Sequence, residues 1–266
     1  MADQVAGAAV GPGVGMGGRP RWGLEVLVVL ALSLGQSAVY SVLSIIEKLT
    51  RETPLNQQTT TMNSSATPDR PWLDLAYQLA GSLFLVAPVA LVLFLLWLRP
   101  GRAGGWAAMG LDRRHPGRDV LAGLGLAAAI GVPGLGFYLL ARELGLNTSV
   151  APANLTDVWW AVPVLVLAAV ANGVLEEVVI VGYLFTRLRD LGWSWLVVLL
   201  TSALVRGSYH LYQGFGGFAG NVLMGLLLGL VYLRWRRVWP LVVAHSLLDV
   251  GAFVGYTLVA PHVTWL

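Results

Sequence analysis

The chain has 266 residues, of which 56% are hydrophobic and only 12% are charged, with a net charge of +3. A soluble domain carries about 25% charged residues, so this chain lacks the polar surface that a soluble fold requires. These proportions exclude a soluble globular enzyme, a disordered chain and a disulfide-rich secreted module. The absence of Cys excludes cysteine nucleophiles, thiolate metal sites and Fe–S clusters. Lys48 is the only Lys, and this Arg bias indicates genome composition and no nucleic-acid partner. We therefore predict an all-α, polytopic transmembrane helix bundle.

Seven apolar stretches, each of about 18 residues or more, predict the membrane spans. They cover roughly residues 23–46, 73–98, 119–141, 158–183, 194–212, 217–234 and 238–260, and an eighth span stays open. The first 22 residues are rich in Gly and lack the basic segment of a signal peptide, so residues 1–22 are expected to form a flexible tail. Residues 23–266 then form one transmembrane domain with a catalytic-type core at 158–260. The polar loop over 47–70 is expected to face solvent.

Lys and Arg are distributed unevenly between the loops on the two sides of the predicted bundle, and this asymmetry sets the orientation. With the N-terminus inside, the inner cations are Arg19, Arg21, Arg99, Arg102, Arg113, Arg114, Arg118, Arg187, Arg189, Arg234, Arg236 and Arg237. The outer cations are Lys48, Arg51, Arg70 and Arg142. The bias predicts a cytoplasmic N-terminus. We expect a protein embedded in the lipid of a cytoplasmic membrane.

Ionisable residues at membrane depth are the informative positions, because each costs a few kcal/mol unless it is paired or hydrated. The sequence has six of them, at Glu176, Glu177, Arg206, His210, His245 and Asp249. All six lie in the last part of the chain. Any chemistry therefore belongs to residues 170–250, although buried polar side chains also serve as simple hydrogen-bonding partners between packed helices.

Helical spacing predicts which of these side chains share a face. Arg206 and His210 are separated by four residues on one helix, and His245 and Asp249 have the same spacing on another. The two adjacent glutamates point about 100° apart and are expected to have different partners.

The fourth and fifth spans form a predicted hairpin that turns at residues 190–193. Folding the chain about this turn brings Glu177 opposite His210 and Val181 opposite Arg206. The hairpin thus places a carboxylate pair against a His and an Arg. A general base and a positive or hydrogen-donating group are what peptide hydrolysis requires.

Three short motifs in this region resemble the CAAX-processing and bacteriocin-processing intramembrane proteases, also called the abortive-infection (ABI) family. The family pattern is Glu-Glu-x-x-x-Arg, Phe-x-x-x-His and His-x-x-x-Asn or Asp, on successive membrane helices. Here the motifs are Glu176-Glu177-Val-Val-Ile-Val181, Arg206-Gly-Ser-Tyr-His210 and His245-Ser-Leu-Leu-Asp249. The resemblance extends from Asn172 to Phe253 and is typical of prokaryotic members.

The resemblance implies a glutamate-dependent endopeptidase that cleaves membrane-associated peptides, including the tripeptide beyond a prenylated Cys. Glu176 would activate the attacking water, while His210 and His245 would hold that water or bind a metal. Glu177 would be structural, and Asp249 would orient His245. Prokaryotic members are associated with bacteriocin maturation, immunity and regulation.

Zinc is the metal that this set of residues would select. His210, His245 and Glu176 would supply three ligands, with water as the fourth. The His-Glu-x-x-His signature of zinc peptidases is absent. We favour metal-free hydrolysis and leave a metal-dependent form open.

Two positions depart from the family pattern. Val181 stands where the motif has Arg, and Arg206 stands where it has Phe. Because the hairpin brings these two positions together, we expect Arg206 to lie within about 6 Å of a glutamate and to pair with Glu177. His245 lies nearer than His210 to the inner end of its span, so the hairpin at 184–193 must project into the cytoplasm, with a cavity in the inner half of the membrane.

Two alternatives to an endopeptidase stay open. A family member that has lost activity would act as a membrane scaffold or immunity protein, and the two departures favour it. A transporter or channel would use the buried charges to bind an ion, but no internal repeat supports this function.

Overall fold

The computed structural model describes residues 19–98, 105–155 and 157–263. Most of the predicted tail, 1–18, lies outside the described residues, as do Arg99 and Arg102 of the inner-side cations. Residues 19–22, predicted to belong to the tail, are the first turn of a helix.

Helices make up nearly all of the described structure. They are α1 (Arg19–Ala31), α2 (Leu34–Leu49), α3 (Pro71–Leu85), α4 (Ala87–Trp97), α5 (Gly105–Ala108), α6 (Pro116–Glu143), α7 (Ala161–Glu176), α8 (Leu184–Asp190), α9 (Trp195–Ser208), α10 (Phe215–Trp235) and α11 (Trp239–Val259). A π-helix, Glu177–Tyr183, joins α7 to α8, and 3₁₀ turns occur at Leu55–Gln57, Leu211–Gln213 and Ala260–His262. Two short strands, β1 (Thr59–Thr61) and β2 (Ser149–Ala151), pair in parallel.

Five helical stretches are long and apolar enough to cross a membrane. They are Pro71–Trp97, Pro116–Glu143, Ala161–Asp190, Phe215–Trp235 and Trp239–Val259. The pair α1 and α2 adds a sixth if its 55° bend lies within one span. The remaining predicted span contains α9, whose 14 residues reach about 21 Å and fall short of a bilayer core of about 30 Å. The all-α polytopic bundle is confirmed, and the cytoplasmic N-terminus stays a prediction.

The stretch Ala161–Asp190 is the central helix of the bundle. Its apolar window is 67% buried, against at most 28% in the other four long stretches. A helix that is apolar on all sides is stable only when neighbouring helices or lipid surround it, and here protein surrounds it. The two glutamates therefore sit on the most enclosed helix of the structure.

The central helix and α11 pack antiparallel through two glycines, Gly173 on α7 and Gly182 on the π-helix. A Cβ added at Gly173 would lie 2.6 Å from Ser246 Oγ, and one at Gly182 would lie 3.3 Å from Val238 Cγ2. Gly182 is therefore level with the start of α11, and α8 extends beyond it by about 12 Å, at 1.5 Å for each of eight residues. This projection accounts for the depth difference between His210 and His245.

Replacing Gly173 by Ala should destabilise the bundle. The new methyl group would overlap both Ser246 Oγ and Ser246 N, at 2.6 and 2.9 Å, and force α7 and α11 apart. Such overpacking costs about 1–3 kcal/mol, measurable by unfolding in mixed detergent and SDS. The matched control is Gly251→Ala on α11, where the added Cβ meets nothing within 4 Å. Equal stability of the two variants would contradict the close packing.

Most of the polar loop between α2 and α3 is exposed, as expected, but part of it packs against the bundle. Gln58 and Thr60 are buried, and Thr60 Oγ1 lies 2.7 Å from Thr148 Oγ1 beside the β1–β2 pair. The backbone N–H of Thr148 donates to the carbonyl of Gln213 at 2.8 Å, just beyond α9. The buried positions were not predicted, because the two loops satisfy each other's polar groups, which the sequence of one loop does not reveal. The loop between α2 and α3 and the loop between α6 and α7 together cover one end of the site, and we refer to these two loops as the cap.

Ion pairs join the helices at the opposite end. Buried Arg187 on α8 bonds to Glu25 on α1 at 2.7 Å. Arg237, before α11, bonds to Asp119 on α6 at 2.7 Å and to Asp112 at 3.0 Å. The backbone N–H of Arg114 and the guanidinium of Arg237 lower the pKa of the Asp112 carboxyl. These pairs tie the predicted inner ends of the helices together.

Candidate active site

All six ionisable residues predicted from the sequence meet at one place in the bundle. Glu176 ends α7, and Glu177 begins the π-helix, a form that occurs frequently at functional sites. Arg206 is in the last turn of α9, and His210 follows that helix directly. His245 and Asp249 lie one turn apart on α11. The three helices of the predicted motifs therefore supply one cluster.

Arg206 is fully buried at the centre of this cluster. Its Nη2 donates to Glu177 Oε1 at 2.6 Å, and its Nη1 donates to Glu176 Oε2 at 3.2 Å. Both contacts are well within the 6 Å that the hypothesis required. Val181 is buried among apolar neighbours and supplies no charge. The guanidinium thus reaches the glutamates from across the hairpin, at the position where the family motif has Phe.

His245 is held from both ring nitrogens. Its Nδ1 donates to Glu177 Oε1 at 2.7 Å, and its Nε2 lies 3.8 Å from Asp249 Oδ1. The amide of Asn172 donates to Asp249 Oδ2 at 2.7 Å and fixes that carboxylate. These contacts set the orientation of the imidazole ring, as carboxylates beside functional histidines commonly do.

The two oxygens of Glu176 have different surroundings. Oε2 accepts hydrogen bonds from Tyr209 Oη at 2.7 Å and from Arg206. Oε1 lies 4.0 Å from His210 Nε2, too far for a direct hydrogen bond and suited to a bridging water. His210 Nδ1 donates to the carbonyl of Arg206 at 3.0 Å, which leaves Nε2 directed at Glu176. Glu176 therefore has one anchored oxygen and one oxygen that is open to chemistry.

A cavity of about 400 Å³ lies against Glu176. Glu176, Tyr209 and His210 line one wall of the cavity. The facing wall comes from the bend between α1 and α2, the junction of α3 and α4, and the cap. Its residues include Leu32, Ser33, Leu34, Gln36, Ser37, Met62, Asn63, Phe84, Leu85 and Pro88. The breaks in the first two predicted spans thus lie against the glutamate.

The described residues do not fit a zinc site. No group of three or more His, Asp or Glu side chains within the described ranges is arranged to hold a metal ion. The nearest set is His210, His245 and Glu176, but each imidazole Nε2 is 4.0 Å from a Glu176 oxygen. Arg206 and Tyr209 already occupy Oε2, which places a fixed positive charge where a cation would bind. The mechanism proposed below therefore contains no metal-dependent step.

Two side chains that touch the site, those of Tyr209 and Asn172, were not predicted from the sequence. Tyr209 was not singled out, although it immediately precedes His210, because a Tyr at a helix end usually marks the membrane interface. Asn172 lies one turn before Glu176, and that spacing is the signal that identifies it. The cavity wall from α1 to α4 has no charged motif, so nothing in its local sequence indicates the site.

Comparison with known families gives an assignment for part of the chain. Residues 158–251 match the family model described as type II CAAX prenyl endopeptidase Rce1-like. This stretch is similar to that family, and we refer to it as the Rce1-like domain. No curated protein and no solved structure matches the chain significantly.

The Rce1-like domain confirms the family resemblance proposed from the three motifs. It contains all six ionisable residues, together with Asn172 and Tyr209. It does not contain α1 to α4, which build the facing wall of the cavity. The cavity therefore has one wall inside the matched region and a facing wall outside it.

If Glu176 acts as a catalytic base, replacing Tyr209 by Phe should slow the reaction. The change removes one hydrogen bond of 2.7 Å to a carboxylate and keeps the ring in place. Hydrogen bonds to charged groups contribute about 1.5–3 kcal/mol, which corresponds to about a 10- to 100-fold fall in rate. The measurement is the turnover number in detergent or vesicles. Tyr77→Phe, an exposed tyrosine on α3, serves as the control and should leave the rate unchanged.

Proposed function

We propose that this protein is an intramembrane endopeptidase that hydrolyses a peptide bond in a membrane-associated peptide or protein. The observation that carries the proposal is the asymmetric environment of Glu176. One of its oxygens is held by Arg206 and Tyr209, and the other faces His210 at 4.0 Å beside a cavity. An anchored carboxylate with one open oxygen is suited to act as a general base.

Hydrolysis begins with a water molecule between Glu176 Oε1 and His210 Nε2. Glu176 takes a proton from this water, and the resulting hydroxide attacks the carbonyl carbon of the scissile bond. The negative charge that develops on the carbonyl oxygen is stabilised by the nearby guanidinium of Arg206. Glu176 then gives its proton to the leaving nitrogen as the C–N bond breaks. The products are a free amine and a carboxylic acid.

The remaining residues position this base. Glu177 joins Arg206 to His245 through a single oxygen, at 2.6 and 2.7 Å. Asp249 restrains the same imidazole from its other side at 3.8 Å. Breaking any one of these contacts would leave a buried charge without its partner, which is costly. Glu177 and Asp249 thus act through the groups that they hold.

The substrate is a peptide or protein within or beside the bilayer, with or without a lipid group. We place the enzyme in a bacterial cytoplasmic membrane with its N-terminus inside, as the distribution of Arg predicts. Met62 and Asn63 belong to the loop that this orientation puts outside, and both line the cavity. The cavity therefore extends towards the outer side and not into the inner half of the membrane that was expected for it.

Comparison of peptide ends tests the proposal without knowledge of the substrate. Membrane peptides from cells that produce the wild-type protein should contain new termini that are absent from cells producing Glu176→Gln. Glu143→Gln, an exposed glutamate at the end of α6, is the matched control and should give the wild-type pattern. Identical termini in all three samples would support a scaffold or immunity role, and ion flux through reconstituted vesicles would support a transporter.

A further inference from the structure

A second cavity, of about 420 Å³, adjoins the first beside α2. It is lined by Gln36, Ser37, Tyr40, Ser41, Ser44, Tyr209 and Tyr212. Gln36, Ser37, Tyr209 and Tyr212 also line the cavity at Glu176. The two spaces therefore share part of their lining, and we refer to the second as the α2 groove.

The α2 groove is polar although it lies on a predicted membrane span. Each of its seven lining residues carries a hydroxyl or an amide group. The neighbouring positions Val39, Leu43 and Ile46 are apolar and exposed, as expected for a surface that faces lipid. Within the described ranges, the side chains of Gln36 and Ser37 form no hydrogen bond. Polar groups at membrane depth require hydrogen-bonding partners, so the groove suits a polar occupant.

Ser44 is arranged to donate a hydrogen bond into this groove. Lys48 Nζ lies 2.7 Å from Ser44 Oγ, and an ammonium group only donates, so the hydroxyl accepts from Lys48 and keeps its own proton free. Ser41 has a structural part, because its Oγ accepts a hydrogen bond from the backbone N–H of Tyr212 at 2.6 Å. That bond fixes the far wall of the groove against α2.

We propose that the α2 groove binds an extended segment of the substrate next to the scissile bond, by pairing with its backbone amides. This inference rests on the proposed peptidase function. Ser37 and Ser44 are seven residues apart, or about 10.5 Å along the helix, which equals about three residues of extended chain. Gln36 and Ser37 can accept backbone N–H groups, and Ser44 can donate to a carbonyl.

The proposal defines a class of substrate. A transmembrane helix satisfies its own backbone groups and gains nothing from a row of hydroxyls and amides. An extended segment leaves one N–H and one C=O per residue without a partner, and the groove supplies such partners in the way that an edge strand does. The preferred substrate therefore presents its scissile bond in a locally unwound or terminal segment of about three residues.

N-methylation of the peptide backbone tests the pairing. The probe is a cleaved peptide identified from membranes, anchored in vesicles that contain the full chain, with one amide at a time carrying a methyl group. Within three residues of the scissile bond on the groove side, one such methyl group should raise KM about three- to tenfold, because one hydrogen bond is lost. Beyond that distance it should have no effect.

Gln36→Leu identifies the groove as the origin of the effect. The variant should raise KM for the unmodified peptide about three- to tenfold with kcat unchanged, and the penalty for the critical N-methyl group should disappear. Leu43→Ala, at an exposed apolar position of the same helix, is the control and should match the wild type. An unchanged KM in Gln36→Leu, or a penalty that persists in it, would overturn the groove while the peptidase function stood. If the wild-type protein cleaves no peptide, both proposals fall.

Discussion

Glu176→Gln should lower kcat about 10²- to 10⁴-fold on a peptide that the wild-type protein cleaves, with little change in KM. Gln has nearly the same shape as Glu and keeps an oxygen that accepts hydrogen bonds from Tyr209 and Arg206. It cannot take a proton from water in the way that a carboxylate does. Steady-state kinetics in vesicles measures the effect.

Glu177→Gln provides the comparison that separates catalysis from structure. Glu177 is as buried as Glu176, but its Oε1 is already shared by Arg206 and His245. Its replacement should lower the free energy of unfolding by more than Glu176→Gln does. A larger fall in kcat for Glu177→Gln than for Glu176→Gln would reverse the roles of the two carboxylates.

The position of the site was predictable from the sequence because charges at membrane depth are rare. Counting residues from a turn placed Arg206 opposite Val181, where the family pattern has an Arg, and this led to the expected pairing of Arg206 with Glu177. That ion pair forms in the structure at 2.6 Å. Counting works here because two helices joined by a tight turn must run side by side. The expected neighbour of Glu177 across the hairpin was His210, and in the structure that histidine faces Glu176 instead.

The difference has a local cause in the backbone. The π-helix at Glu177–Tyr183 has more residues per turn than an α-helix, so hairpin arithmetic based on α-helical spacing assigns the wrong glutamate to His210. A single sequence gives no clear signal for a π-helix, because its residues are the same apolar types that form an α-helix. The cavity wall from α1 to α4 was missed for a related reason, since it depends on packing between distant spans.

The facing wall and the Rce1-like domain contribute different kinds of side chain to the site. The domain supplies every charged group of the cluster, whereas the α2 side supplies neutral hydroxyl and amide groups. In the proposed mechanism the charged groups perform the chemistry, and neutral groups along a groove can bind backbone without requiring a particular side chain. Substrate choice should then vary with α1 to α4 while the catalytic cluster stays the same.

Arg206→Phe should destabilise the protein strongly, by about 3–5 kcal/mol. The change restores the residue that the family pattern has at this position and removes the cation between Glu176 and Glu177. Both carboxylates are buried, so neither gains water in compensation. Unfolding in mixed detergent and SDS gives the free energy. Arg114→Phe is the control, because that side chain is 74% exposed, and exposed ion pairs contribute about 0–1 kcal/mol.

Adding Val181→Arg to Arg206→Phe should recover more than half of the lost stability. The double variant returns the cation to the helix of Glu177, four residues away, where the family motif has it. Val181→Arg alone should be destabilising, because it places a second guanidinium in a site that already contains Arg206. The two changes should therefore be coupled by about 2–3 kcal/mol in a double-mutant cycle. If the free energies of the two single changes simply add, Arg206 does not replace the motif arginine, and the cluster depends on this guanidinium for another reason.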